Sequence, residues 1–286
     1  MANLKNIRSQ IKSVTSIQKV TKAMKMVAAA KLRKSQENME KARPYSERLK
    51  NLIADLIHDV DRSLMPLLEK HSGNNKIGFV VVTGDRGLAG SFNTNIIKKA
   101  EKEIAKIGIE NAELFCIGKK GYEHFFKRDY RVVNHYKDFW VNLNYNQAIN
   151  IGNDIISAYV NKKIDSVQVI YNYFKNVGSQ ELIHENLLPL DFAKNKDAKN
   201  SDIIYEPSKA EIVKSLVPKY FNTQIWQYLL ESFASEQAAR MLAMENATEN
   251  AKDMINDLNL EFNKARQTAI TTEMLEIVGG AEALSN

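Results

Sequence analysis

The chain has 286 residues, of which 26% are charged and 44% hydrophobic, with a net charge of +6. That is the make-up of a water-soluble folded protein, not of a disordered or membrane-spanning one. No apolar run approaches the ~20 residues that cross a bilayer, and the opening MANLKNIRSQ lacks the short apolar stretch of an export signal.

Charge is unevenly placed. Residues 1–50 hold 13 Lys and Arg against 3 acidic residues, whereas residues 209–286 hold 7 against 11. A basic N-terminal segment and an acidic C-terminal one are expected to attract each other, although solvated pairs are individually weak. The single cysteine, Cys116, sits in the apolar run LFCIG. It cannot close a disulfide within the chain and reads as a buried thiol in a reducing cytoplasm.

From Leu4 a mostly apolar seam runs in steps of three and four through Leu4, Ile7, Ile11, Val14, Gln18, Thr21, Lys25, Ala28, Leu32, Ser35, Met39, Ala42, Ser46, Leu49, Ile53, Leu56 and Val60. This seam predicts a long helix over 1–60 whose narrow apolar stripe needs a partner helix. Polar Gln18, Thr21 and Lys25 fall on the seam and are expected to weaken it there. Pro44 removes a backbone donor and predicts a bend just before it.

Between 61 and 207 the period changes. IGFVVV (77–82) is a continuous apolar run of the kind a strand shows when both faces are buried. Further runs, ELFCIG near 114–117, YRVV at 130–133 and SVQVIYNYF at 166–174, alternate with helical stretches near 93–107, 119–127 and 145–162. The order βαβαβαβ predicts a Rossmann-like parallel sheet, with ELIHENLLPL after Gly178 returning as a hairpin strand. The loop TGDRGLAGS fits no phosphate cradle. Gly84 and Gly90 have five residues between them, not four, and no Lys-Ser/Thr pair after them, and Gly84, Gly87 and Gly90 lack the one-residue spacing of a dinucleotide fingerprint. Glycines that turn a strand into a helix, with Asp85 and Arg86 exposed to a protein partner, are the better reading.

From 208 to 286 a second seam runs through Leu230, Ala234, Met241, Met244, Thr248, Ala251, Ile255, Leu258, Phe262, Ala265 and Ala269. Ser208 with Glu211 reads as a capping box, and Pro218 predicts a kink or break. Since the chain leaves the first helix at the end where it enters the second, the two are expected to wind antiparallel, the longer C-terminal one ending either in an unaccompanied single-helix tip or in a frayed tail. The fold class is thus α/β plus a long antiparallel coiled coil.

No catalytic or metal site is legible: the histidines at 58, 71, 124, 135 and 184 are scattered, and neither GxSxG nor HExxH occurs. No cofactor is expected. A basic helix suggests nucleic-acid binding as a rival, but its lysines share the helix with an apolar seam that wants a protein partner. A cofactor-dependent enzyme in the α/β domain is the second rival, to be recognised by thermal stabilisation with ATP or NAD.

Three segments, IQKVTKAMKMVAAAKLRKSQ (17–36), TGDRGLAGSFN (83–93) and ESFASEQAARMLAMENATENA (231–251) with NKARQTAITTEMLEIVGGAEAL (263–284), closely resemble the gamma subunits of the rotary F-type ATP synthase. RPY at 43–45 and YEP at 205–207 match as well, while Ala89 and Ser91 depart from that family's usual loop. The resemblance implies a non-catalytic central shaft that couples proton flow to ATP synthesis by rotation. Its implied partners are three alpha and three beta subunits, an epsilon subunit and the c-ring, with no nucleic acid. It further implies that Met24 and Lys25 face a moving lever of beta, that Arg266, Gln267 and Thr271 face a beta loop near an upper bearing, and that Asp85, Arg86, Tyr205 and Glu206 belong to a foot meeting epsilon and the ring. The implied location is the cytoplasmic face of a bacterial inner membrane, held there indirectly.

Overall fold

A computed structural model describes residues 2–57, 60, 61, 65–71, 73, 75–192 and 206–285. Helix α1 spans Ala2–Leu56 and helix α5 Lys209–Ser285. Between them lie β1 (Ile77–Val82), α2 (Phe92–Ile107), β2 (Ala112–Ile117), α3 (Lys119–Phe126), β3 (Val132–Tyr136), α4 (Tyr145–Val160), β4 (Ser166–Asn176) and β5 (Ser179–Leu188). By mutual contact the chain divides into two units, one of Met1–Ala28 with Met241–Asn286, the other of Ala29–Arg240.

The first unit is a helix pair. Every described seam position of α1 up to Ala28 is at least half-buried, and the same holds on α5 from Met241 to Ala269. The polar seam positions that were expected to weaken the pairing are themselves partnered. The Thr21 and Thr248 hydroxyls are hydrogen-bonded at 2.8 Å, and Lys25 Nζ lies 2.6 Å from Glu245 Oε1. The Arg8 guanidinium stands 5.5 Å from the centre of the Phe262 ring. These matches run antiparallel, so α1 is exhausted opposite about residue 268 of α5 for a seam of this pitch. From Ile270 to Ala281 every residue is exposed, which is the expected unaccompanied tip.

The second unit is built on a sheet of order β3-β2-β1-β4-β5, parallel except for β5, which pairs antiparallel with β4 as the expected hairpin. β1 is buried because helices cover both its faces. On one side Val80, Val82, Val167 and Val169 pack with Ile151, Ile155 and Tyr159 of α4, with Ile53 and Leu56 of α1 and with Val217, Phe221 and Leu229 of α5. On the other, Phe79, Val81, Leu114 and Cys116 pack with Ile96, Ala100 and Ile104 of α2 and with Phe125. Near-complete burial of such side chains is the main stabilising term, about 1.5–3 kcal/mol for each large one.

The break allowed for at Pro218 and the reciprocal cap expected at Ser208 need correction. Helices α1 and α5 continue as helix past Pro44 and Pro218 respectively. A proline removes one backbone bond; here Ser46, Leu49 and Ile53 after the first, and Val213, Val217 and Phe221 around the second, are buried and hold the backbone in place. At the start of α5 the Glu211 amide donates to Ser208 Oγ at 3.3 Å, the serine half of the expected cap. The reciprocal box forms at α4, between Asn144 and Gln147.

One carboxylate ties α2 together. Buried Glu103 accepts from Lys106 at 2.5 Å and meets Lys99 at 3.0 Å, and these lysines bring its pKa from 4.5 down to about 2. A depressed carboxyl stabilises the fold above its unfolded pKa, and that contribution fades as pH falls toward the folded value. Glu103→Gln is therefore expected to lose about 1–2 kcal/mol at pH 7, with the gap from the parent narrowing by pH 3 in urea titrations. A gap independent of pH would show that the ion pairs contribute nothing.

Candidate functional site

The structure offers surfaces, which fall into three groups. The first lies on the helix pair. Ile17, Val20, Met26 and Val27 of α1 are more than half exposed, whereas Met24 and Lys25 are half-buried beside the seam. Next to this row is an open groove of about 410 Å³ lined by Lys19, Lys22, Lys25, Met26, Glu245 and Glu249. Exposed apolar side chains clustered beside basic ones mark a surface that meets another protein. Lys25 is committed to Glu245; Lys19 and Lys22 remain on the exposed side.

The second group is the tip. Arg266, Gln267 and Thr271 are all exposed, and Thr271 Oγ1 donates to the Gln267 carbonyl at 3.0 Å, a helix-internal bond that leaves the face open. Ile270, Met274, Leu275, Ile277 and Val278 are likewise exposed, so this end of α5 presents a broad apolar face. An apolar helix face left bare is one that another surface must cover.

The third group is the loop that joins β1 to α2. Thr83 Oγ1 donates to the Ile117 carbonyl at 3.0 Å and accepts from the Gly121 amide at 2.9 Å, which fastens the loop's start to α3. The Gly84 amide donates to Asn93 Oδ1 at 2.8 Å, and Asn93 Nδ2 returns to the Arg86 carbonyl at 3.1 Å. Gly90 takes φ +55°, and Leu88 takes φ +61° with 68% of its surface exposed. A non-glycine residue in the left-handed region costs energy that surrounding contacts must offset.

Asp85 departs from its expected exposure. It is half-buried, with Oδ1 accepting the Lys119 amide at 2.8 Å and Oδ2 the Asp138 amide at 2.9 Å, so both oxygens brace the loop against α3 and the turn after β3. Arg86 and Glu206 are exposed; Tyr205 lies outside the described residues.

Two residues missed by the sequence reading hold the loop from the other side. Arg240 of α5 donates to the Gly87 carbonyl at 2.5 Å and pairs with Glu236 one turn earlier. Glu236 itself is 5% exposed. Burial pushes its carboxyl above the usual range, and the Arg240 charge offsets part of that. The i,i+4 acid and base were legible in SEQAAR, but such pairs ordinarily face solvent. Among the described residues no cluster of His, Cys, Asp and Glu could hold a metal ion, and no helix is long and apolar enough to cross a membrane.

Comparison with known proteins places these surfaces in a family. A family model described as ATP synthase matches residues 3–284. The ATP synthase gamma chain of Prosthecochloris aestuarii is 50% identical over 291 residues, covering 99% of each chain, and that of Chlorobium luteolum is 49% identical over 291 residues, covering all of both. Among solved structures, a chain of the Tetrahymena thermophila mitochondrial ATP synthase central stalk and c-ring matches with TM-score 0.63 at 26% identity, over 80% of this chain and 99% of that one. A chain of the Euglena gracilis mitochondrial ATP synthase shares the fold with TM-score 0.69 at 20% identity, over 99% and 95%. The chain belongs to the ATP synthase gamma chain family.

Proposed function

We propose that this chain is the central rotor shaft of a rotary ATP synthase, a non-catalytic subunit that turns inside a ring of alpha and beta subunits. Domains follow from that role: helices over 1–60 and 208–286 form the shaft, and the α/β domain over 61–207 forms the foot. The observation that carries the reading is the antiparallel pairing of α1 with α5, locked at Thr21–Thr248 and Lys25–Glu245, which ends in an exposed apolar tip.

A shaft can bias a catalytic site only as far as its contacts differ between orientations. The row Ile17, Val20, Met26 and Val27, with the lysines beside it, gives one side of the helix pair an apolar and basic character, so rotation presents each beta subunit in turn with a different face. Lysines attract acidic surfaces over a distance without interlocking, which suits a contact that must slide. In this assignment Met24 and Lys25 meet the beta lever, Arg266, Gln267 and Thr271 the upper bearing, and Arg86, Tyr205 and Glu206 with the Asp85-braced loop meet epsilon and the c-ring. Attachment to the cytoplasmic face of the bacterial membrane is indirect, through that ring.

The cysteine content makes the test direct. Cys116 is fully buried and its thiol is pushed up to about 12, so it is inert toward maleimides. Lys127→Cys, at the exposed end of α3, supplies a single reactive thiol for a bead. With the alpha and beta subunits immobilised, ATP is expected to drive unidirectional rotation of that bead. Hydrolysis at the parent rate with a stationary bead would refute the assignment.

A further inference from the structure

In the order β3-β2-β1-β4 the chain runs outward from β1 through β2 to β3 and then crosses back to β4, so the connection changes direction between β1 and β4. In open α/β sheets the crevice beyond the carboxyl ends of two such strands is where ligands bind, phosphates above all. Here the crevice is filled by α5. Ser235 Oγ donates to the Asn172 carbonyl of β4 at 3.0 Å, and Glu231 accepts the Phe174 amide at 3.1 Å. Opposite them Glu236 reaches Gly84, the second residue past β1, so closely that a Cβ there would lie 2.8 Å from its Oε2. Ser235, Glu236 and Arg240 are all buried. The place where a sheet of this kind seats an anion therefore holds a carboxylate of the chain itself, bound by Arg240, which also takes the Gly87 carbonyl of the same loop.

We propose that Glu236 is the built-in ligand of this crevice, a positioning residue that locks the 83–91 loop onto α5 so that loop and helix turn as one body. The charges around it suit that role. Burial, the largest influence, and Asp85 oppose an anion there, while Arg240 and Lys31 favour it and offset part of that cost. A side chain at Gly84 would displace the carboxylate. Removing the Glu236 side chain leaves a cationic hollow bounded by Gly84 and Arg240, which a small free carboxylate can enter.

The coupling part of this inference rests on the rotor reading; the lock itself does not. Glu236→Ala and Glu236→Gln are to be made in the assembled membrane enzyme, with amide exchange of residues 84–90, ATP hydrolysis and ATP-driven proton pumping measured in sodium formate and in sodium chloride of equal ionic strength. In Glu236→Ala the loop amides are expected to exchange about tenfold faster, since local opening becomes easier. Pumping per ATP should fall to roughly a third, and formate, unlike chloride, should restore both. Glu236→Gln keeps the shape and one bond to Arg240, and should show a smaller change that formate does not reverse. Parent-like exchange in both variants, or fast exchange indifferent to formate, would overturn the lock. Loosened loop amides with unchanged pumping would overturn its part in coupling. Failure of the rotor reading would appear instead in the parent, as hydrolysis without pumping, with the exchange result still standing.

Discussion

Gly118→Ala is expected to destabilise the chain by about 3 kcal/mol or more, through backbone strain and a clash with immovable atoms. Gly118 follows β2 with φ +92° and ψ 145°, a region that side chains rarely enter. The added Cβ would lie 2.0 Å from the Thr83 carbonyl oxygen and 2.6 Å from its carbon. Those atoms cannot yield cheaply. The Thr83 amide is bonded to the Ile117 carbonyl at 2.7 Å, and the Gly118 amide to the Tyr136 carbonyl at 2.7 Å, so both residues are held by the ends of neighbouring strands. Gly87→Ala is the control, since nothing lies within 4 Å of its Cβ position. Urea titration of the two full-length variants measures the contrast. A loss below about 1 kcal/mol in Gly118→Ala would mean that β1 and β2 can part at their ends at little cost.

Arg240→Ala is expected to cost about 3–5 kcal/mol near pH 7.5, because it strands a buried carboxylate and leaves the Gly87 carbonyl without its donor. Glu236 already titrates above the usual carboxyl range because it is buried, and Arg240 works against that rise. Without Arg240 the folded pKa climbs further above the unfolded one. The penalty is then absent below the unfolded pKa and grows as pH rises toward the folded value. The variant should consequently lie closer to the parent at pH 5 than at pH 7.5. Adding Glu236→Gln should recover about 1–3 kcal/mol, as neighbours in one ion pair are not additive. Equal losses at both pH values and no recovery in the double variant would show that Arg240 acts by packing alone.

The long helices were legible because a three-and-four spacing sustained over tens of residues has one simple reading, and the buried positions of α1, Ala54 apart, fall on the seam read from the sequence. The sheet was legible for a related reason: a run such as IGFVVV has no polar face to give to water. A break at Pro218 was over-read, since the proline rule concerns one hydrogen bond whereas the packing on both sides decides whether the helix continues. The polar seam residues were under-read. Thr21 meets Thr248 across 227 positions, a pairing that no local pattern contains. Asp85 was taken for a surface residue for the same reason, because the amides it accepts are 34 and 53 residues away. Glu236 and Arg240 were visible as a helical acid–base pair, but their burial is a property of the crevice that encloses them.

The hydroxyl pair at Thr21 and Thr248 bears on how two helices fail when forced past each other. Apolar seams tolerate slippage: a displacement by one heptad replaces one greasy contact with another and forfeits little. Such a displacement here would set Thr21 against the side chain of Ile255 or the thioether of Met241, and would tear Lys25 from Glu245. Buried polar groups of this kind fix alignment at some expense in strength. The helix pair thus carries a notch that resists axial creep just where apolar adhesion is thinnest.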